Sequence, residues 1–327
     1  SLLMASFPAT GKIWMNGQFV DWNDAKIHIA SHVVHYGSGV FEGARCYETP
    51  QGPACFRLGA HIRRLVDSAK VYRMDPPYTE EQLTEATLET IRVNGFSHCY
   101  IRPIIYRGYN SLGVTPFPCP IEVAILVWEW GTYYTKEALE QGLDVKISTW
   151  ARMAPNTLPT MAKCVANYAN SQLIKMEASV EGYDEGIALD TDGNLSEGSG
   201  QNLFIVRDRV IYTPPVTASV LLGITRDSAI TLAKESGYEV REQSLPREML
   251  YLADEAFFVG TAVEVAPIRS VDKIKIGKGS CGPITREIMS EFSNVVRGRK
   301  PDTYGWLLNV NSAERTESAS VSSGKRR

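Results

Sequence analysis

Met161-Ala162-Lys163-Cys164-Val165-Ala166-Asn167-Tyr168, followed downstream by Leu195-Ser196-Glu197-Gly198-Ser199-Gly200-Gln201-Asn202-Leu203, is the part of the chain whose reading decides the fold. Lys163 has few charged neighbours and stands at the start of a helical stretch, where desolvation and the positive end of the helix dipole both disfavour an ammonium. A lysine so placed can act as a nucleophilic amine near neutral pH and form a Schiff base with an aldehyde. A snorkelling surface lysine is compatible with the same local sequence, so Lys163 has to be read with its surroundings.

The 327 residues are 44% apolar, enough to bury a large core, and two domains are expected at this length. A formal net charge of -3 leaves no basic footprint for nucleic acid, so small metabolites are the expected partners. No apolar run is long enough to span a bilayer, and Ser1-Leu2-Leu3-Met4 lacks the charged and apolar regions of a signal peptide. Cys46, Cys55, Cys99, Cys119, Cys164 and Cys281 form no CxxC pair, as expected of reduced thiols in a cytoplasmic protein.

Residues 12–20 read as a hairpin turning at Asn16-Gly17, and residues 39–58 as a second one bent at Thr49-Pro50-Gln51-Gly52. Helices are expected over 61–74, where Ile62, Leu65, Val66 and Ala69 repeat, and from the capping pattern Thr79-Glu80-Glu81-Gln82 to the residue before Gly95. Strands over 99–106 and 121–130 complete an N-terminal α+β domain, 1–130. A loop, 131–137, then leads to a larger domain, 138–311. There helices near 165–180, 225–236 and 284–296 alternate with strands at 186–189, 203–212 and 256–260. The polar tail 312–327 has little to bury and reads as disordered.

Ala162-Lys163 with Asn167-Tyr168, and Ser196-Glu197-Gly198 with Gly200 and Asn202, match A-K-x-x-x-N-Y and S-E-G-x-G-x-N position for position. In these motifs the chain resembles the branched-chain amino acid aminotransferases, enzymes of fold type IV that use pyridoxal 5'-phosphate (PLP). The resemblance runs from about Lys12 to Val310. It implies a two-domain α/β (mixed α+β) fold with the cofactor site between the domains. Lys163 is implied to carry PLP, and Glu197 to keep the pyridine nitrogen protonated so that the ring withdraws electrons. Tyr168 is implied to donate to the cofactor's phenolate oxygen, although a tyrosine there reads equally as core packing.

A phosphate needs backbone donors and fixed positive charge. Ile224 and Thr225, opening a helix after Leu222-Gly223, offer free amides, and Gly260-Thr261-Ala262 offers a hydroxyl and further amides. Either motif alone reads as an ordinary glycine turn with a threonine cap; both match the family's phosphate cup, and Arg64 aligns with its phosphate-binding arginine.

His35-Tyr36-Gly37-Ser38-Gly39-Val40-Phe41-Glu42-Gly43-Ala44-Arg45 and Tyr100-Ile101-Arg102-Pro103 are close to the same family's specificity patterns. By resemblance Tyr36, Phe41, Trp130 and Tyr133 line an apolar pocket for a leucine, isoleucine or valine side chain, with Gly43 and Arg45 in the same run. Arg102 at its edge would take the second carboxylate of glutamate. Tyr100 and amides near Thr261-Ala262 would hold the α-carboxylate. The loop Asn110-Ser111-Leu112-Gly113-Val114 resembles one that enters a neighbouring subunit's site, implying a homodimer at minimum. The implied reaction is ping-pong transfer of an amino group between L-branched-chain amino acids and 2-oxoglutarate, serving amino-acid biosynthesis. D-amino acid aminotransferases, (R)-selective amine transaminases and aminodeoxychorismate lyase share the fold and much of the lysine motif, and fold alone does not choose among them.

A second class of enzyme is also readable. His28, His32 and His35 fall at i, i+4 and i+7, a metal-ligand spacing on a helix, though the residues between them read equally as strand and the histidines as satisfied core.

Overall fold

The structure, a computed structural model, describes residue 7 and residues 11–311. The tail 312–327 lies outside the described residues. Asn16 and Gly17 both adopt positive φ, 49° and 90°, and their turn joins Lys12–Met15 to Gln18–Asp21 in antiparallel register, as Asn-Gly favours. The first sheet runs in the order Leu307–Asn309, Gly52–Phe56, Ala44–Thr49, Cys99–Arg107, Ile121–Trp128, Lys12–Met15, Gln18–Asp21, with Gly39–Phe41 also paired to Cys99–Arg107. Residues 39–58 are therefore three strands rather than one hairpin. Only Ala44–Thr49 and Gly52–Phe56 form the hairpin bent at Pro50-Gln51.

Two helices cover this sheet. Leu58–Val71 starts three residues before the expected His61, because Arg57 takes a left-handed φ of 52° and turns the chain directly into the helix. Glu80–Asn94 has the bounds its caps predict. The Thr79 hydroxyl accepts from the Gln82 amide, the Gln82 side chain accepts from the Thr79 amide, and Gly95 closes the helix at φ 69°. Leu58, Ile62, Leu65, Leu83, Leu88 and Ile91 pack with Ile101, Ile105 and Ile125 of the sheet into one buried core.

The second sheet runs Leu195–Gly198, Glu185–Leu189, Leu143–Ile147, Glu264–Val271, Glu255–Gly260, Asn202–Arg207, Val210–Thr213, Val240–Glu242, with Ile274–Lys275 beside Glu264–Val271. The expected single strand 203–212 is a hairpin. Asp208 and Arg209 turn it in left-handed conformations, φ 49° and 65°, a turn without the glycine that would have announced it. Tyr168–Val180 packs on Glu185–Leu189, while Ile224–Glu235 and Pro283–Val296 pack on Glu255–Gly260.

Tyr47 and Phe56 of the first sheet share a buried cluster with Phe204, Phe257 and Phe292 of the second half. The last strand, Leu307–Asn309, lies within the stretch 138–311 but returns to pair with Gly52–Phe56. The seam between the halves is also stitched by backbone: Val40 bridges Cys164, and the Phe41 amide donates to the Lys163 carbonyl at 3.1 Å. That seam carries the lysine.

Candidate active site

Lys163 precedes a single 3-10 turn, Val165–Asn167, and the α-helix begins only at Tyr168. The lysine is therefore not in a helix's first turn, and the expected push from a helix dipole has no basis, since that effect is confined to the terminal turn. What fixes Lys163 is the seam: its amide donates to Ser68 Oγ at 2.9 Å. Its Nζ donates to Tyr168 Oη at 2.5 Å and lies 4.8 Å from the Phe41 ring centroid and 4.7 Å from that of Tyr168.

Nζ faces a cavity of about 670 Å³ between the two sheets, lined by Arg64, Tyr168, Glu197, Ile224, Thr225 and Thr261 among others. At one end Glu197 is 5% exposed. Burial raises its carboxyl above the ordinary range against the opposing pull of Arg152 and the Leu221 amide. Arg152 Nη2 donates to Glu197 Oε1 at 2.6 Å, and Asn202 Nδ2 donates to Oε2 at 3.0 Å. A buried carboxylate with a raised pKa favours a further positive group beside it.

The other end is an anion cradle. Ile224–Glu235 begins at the cavity with no side-chain cap, so its first amides are available there. Arg64 stands beside it, its guanidinium fork on Glu42 through Nε and Nη2, with Nη1 on the Leu222 carbonyl at 2.9 Å. Glu42 has no exposed surface. Burial alone would raise its pKa, but Arg64 and the His61 ring, 2.8 Å away, bring it down to about 2.

Gly223 lets the backbone itself form part of the cavity wall: a Cβ there would meet Asn202 Oδ1 at 2.2 Å. An amine flanked by a carboxylate at one end and free amides with an arginine at the other fits a phosphorylated pyridine aldehyde. The donor set is the one that PLP requires.

The remaining wall is aromatic. Phe41, Gly43, Tyr100, Arg102, Trp130, Tyr133 and Ala262 line the same cavity. Arg102 lies among rings, 4.6 Å from the Phe41 centroid and 5.2 Å from that of Tyr100. Its Nη2 donates to Tyr100 Oη at 2.9 Å, while its buried Nε has no partner. Gly43 makes room for Tyr100, since a Cβ there would lie 2.1 Å from Oη.

Three expected residues lie off the cavity. Arg45 points behind the wall and holds the carbonyls of Thr261 and Ala262 at 2.9 and 2.6 Å. Tyr36 is 45% exposed and donates to the Leu112 carbonyl at 2.7 Å, and Val114 is 80% exposed. Arg152 and Glu42 were not singled out in the sequence. Nothing around Arg152 marks it, because its side-chain partners come from two distant segments, Asn170-Ser171 and Glu197-Gly198. Glu42 was legible in principle, as a carboxylate between apolar strand residues has to find a cation.

The histidines do not converge. His28 precedes the five-residue helix His32–Tyr36 and stacks on Tyr109. His32 is held by Ser38 and the Gly113 carbonyl, and His35 by the Ile29 carbonyl. Among the described residues no group of three His, Cys, Asp or Glu side chains is arranged to hold a metal ion.

A model of the amino-transferase class IV family matches residues 39–271. The branched-chain-amino-acid aminotransferase of Salmonella typhimurium is 52% identical over 301 residues, covering 92% of this chain and 97% of its own. That of Pseudomonas aeruginosa is 45% identical over 296 residues, 90% of this chain and 96% of its own. Among solved structures, the Escherichia coli branched-chain amino acid aminotransferase superposes with a TM-score of 0.90 at 51% identity, covering 92% of this chain and 100% of that one. The Thermobaculum terrenum branched-chain amino acid aminotransferase in its PLP form gives 0.87 at 34%, covering 93% and 99%.

Proposed function

The chain belongs to the class IV amino-transferases and, within them, to the branched-chain-amino-acid aminotransferases, and from that premise we propose that it exchanges the amino group of L-leucine, L-isoleucine or L-valine with 2-oxoglutarate. It is a PLP-dependent enzyme. The observation that carries the reading is Lys163 Nζ in one cavity with Glu197 and the Arg64 cradle on one side and the aromatic wall on the other.

In this reading Glu197 would face the pyridine nitrogen, and Arg64, the Ile224 and Thr225 amides and Thr261 would hold the phosphate. PLP, when bound, supplies the electron sink that lets a substrate α-carbon give up its proton. Lys163 Nζ takes that proton and returns it for the acceptor, a general-base task for which it has to be a free amine. Tyr168 Oη, already bonded to Nζ, orients the amine.

Phe41, Trp130 and Tyr133 offer apolar surface to a branched side chain, and Tyr100 with the Thr261-Ala262 turn receives the α-carboxylate. Arg102, which lines the cavity among the aromatic rings, admits the second carboxylate of glutamate. Each donor leaves as its 2-oxo acid before the acceptor enters, so the kinetics are ping-pong.

In this reading a second copy packs against Tyr36 and the loop 110–114; their exposure, and their absence from the lining of their own cavity, support a contribution to a partner's site. No helix among the described residues is long and apolar enough to cross a membrane. All six cysteines are thiols outside any disulfide, which supports a cytoplasmic enzyme.

The test is a panel of half-reactions that follows the conversion of bound PLP to pyridoxamine phosphate by absorbance. Fast conversion with L-leucine, L-isoleucine, L-valine and L-glutamate is expected. Conversion by D-amino acids or (R)-amines in their place would hand the substrate to the relatives of the same fold.

A further inference from the structure

The carboxyl of Glu197, near the end of the strand Leu195–Gly198, meets donors and no acceptor among the described residues. Arg152 Nη2 donates to Oε1 at 2.6 Å and Asn202 Nδ2 to Oε2 at 3.0 Å, while the Leu221 amide reaches Oε1 and Oε2 at 3.3 and 3.2 Å. A proton on either oxygen would set a donor against a donor, so this frame fits the ionised form. Burial works the other way, and Arg152 is the foremost group opposing it.

Arg152 is itself fixed from several directions. It is 7% exposed, and its amide donates to the Leu189 carbonyl at 2.9 Å. Nη1 donates to Asn170 Oδ1 and Ser171 Oγ, both at 3.1 Å, in the first turn of the helix Tyr168–Val180. Nη2 also reaches the Gly198 carbonyl at 3.3 Å. That helix opens with Tyr168, which is bonded to Lys163 Nζ. The reactive amine and the carboxylate are thus tied to one helix end, the first through Tyr168 and the second through Arg152.

The other ionisable groups lining the cavity are engaged elsewhere: Arg64 on Glu42, Arg102 on Tyr100, Lys163 on Tyr168, and Tyr133 in the aromatic wall. Arg152 is the cation in contact with Glu197.

We propose that Arg152 is a positioning residue for the cofactor: by holding Glu197 ionised at the end of the cavity, it leaves the proton between that carboxylate and the pyridine nitrogen on the ring. A buried carboxylate that loses its cation takes up a proton instead. The pyridine would then go without one, and an unprotonated ring is the weaker electron sink. The proposal rests on the assignment of Glu197 to the pyridine nitrogen and is independent of which amino acid is the substrate.

The test reconstitutes the enzyme with PLP labelled with nitrogen-15 in the ring and reads the protonation of that nitrogen from its chemical shift, without turnover. A protonated ring is expected in the unaltered enzyme and in Arg152→Lys, which keeps a cation at this place, and an unprotonated ring in Arg152→Met and in Glu197→Gln. In Arg152→Met, kcat should fall about tenfold or more while KM changes less than about threefold. Arg152→Met strands a buried charge, so thermal unfolding of the cofactor-free protein supplies a second readout. Arg152→Met should lower Tm, and the double variant Arg152→Met/Glu197→Gln should recover part of that loss. A double variant no more stable than Arg152→Met, or a ring still protonated in Arg152→Met but not in Glu197→Gln, overturns the role of Arg152. A ring still protonated in Glu197→Gln overturns the assignment of Glu197 itself.

Discussion

Lys163→Ala is expected to abolish transamination in a steady-state assay while the protein remains folded; near-normal turnover would refute the assignment. Glu197→Gln separates binding from chemistry. The amide keeps the shape and the Arg152 contact, so the cofactor's absorbance should still appear on the protein, while turnover falls by roughly a hundredfold or more. An unchanged kcat would remove Glu197 from the reaction. Glu42 acts on stability. Its carboxyl is held at about 2 against an ordinary 4.5, worth about 3 kcal/mol at ~1.4 kcal/mol per unit. A depressed folded pKa gives stability that is present above pH 4.5 and is lost as the pH falls towards 2. Glu42→Gln should therefore lower stability by about 3 kcal/mol at pH 7 in urea titrations, with the deficit shrinking at about pH 3. An equal deficit at both pH values would mean that charge pairing with Arg64 and His61 is not its source.

Elements whose ends carry their own chemistry were legible from the chain. Thr79 with Gln82, and Gly95, delimit a helix by local hydrogen bonds, and Asn16-Gly17 supplies the two positive φ angles of a turn that fits its strands. Elements defined by distant pairing were not. Gly39–Phe41 is a strand because Cys99–Arg107 lies beside it, and Asp208-Arg209 turns a hairpin with ordinary residues. The close approach of Gly43 to Tyr100 also belongs to this scale, since the Tyr100 phenol lies against the Gly43 backbone only because no Cβ intervenes. Gly43→Ala should displace Tyr100 and with it Arg102, raising KM for glutamate and 2-oxoglutarate more than for leucine. Equal changes for both substrate types would place the effect elsewhere in the cavity.

At the scale of the molecule, Ile29, Tyr36, Tyr109, Val114 and Phe117 are exposed, and Ser31 bridges Tyr109 to bring their segments together. We propose that these exposed apolar residues meet a second copy of the chain, the use to which exposed apolar patches are commonly put. Sedimentation equilibrium is expected to give a dimer or larger assembly, and Val114→Asp to weaken it and slow turnover although Val114 lies outside its own cavity. A fully active monomer would end that reading. The sequence by itself determined the cofactor and the reaction class, and it singled out Lys163 as the lysine to test. Those reside in short motifs whose spacing is set within one loop or one helix start, so no distant contact is needed to read them. Only the tertiary structure decided that Arg152 meets Glu197, that Glu42 carries Arg64, that Arg45 braces the wall from behind, and that the final strand closes the first sheet. Each of these is a contact between segments far apart in the chain, and a buried charge finds its partner in space, where neighbours along the sequence give no sign of it.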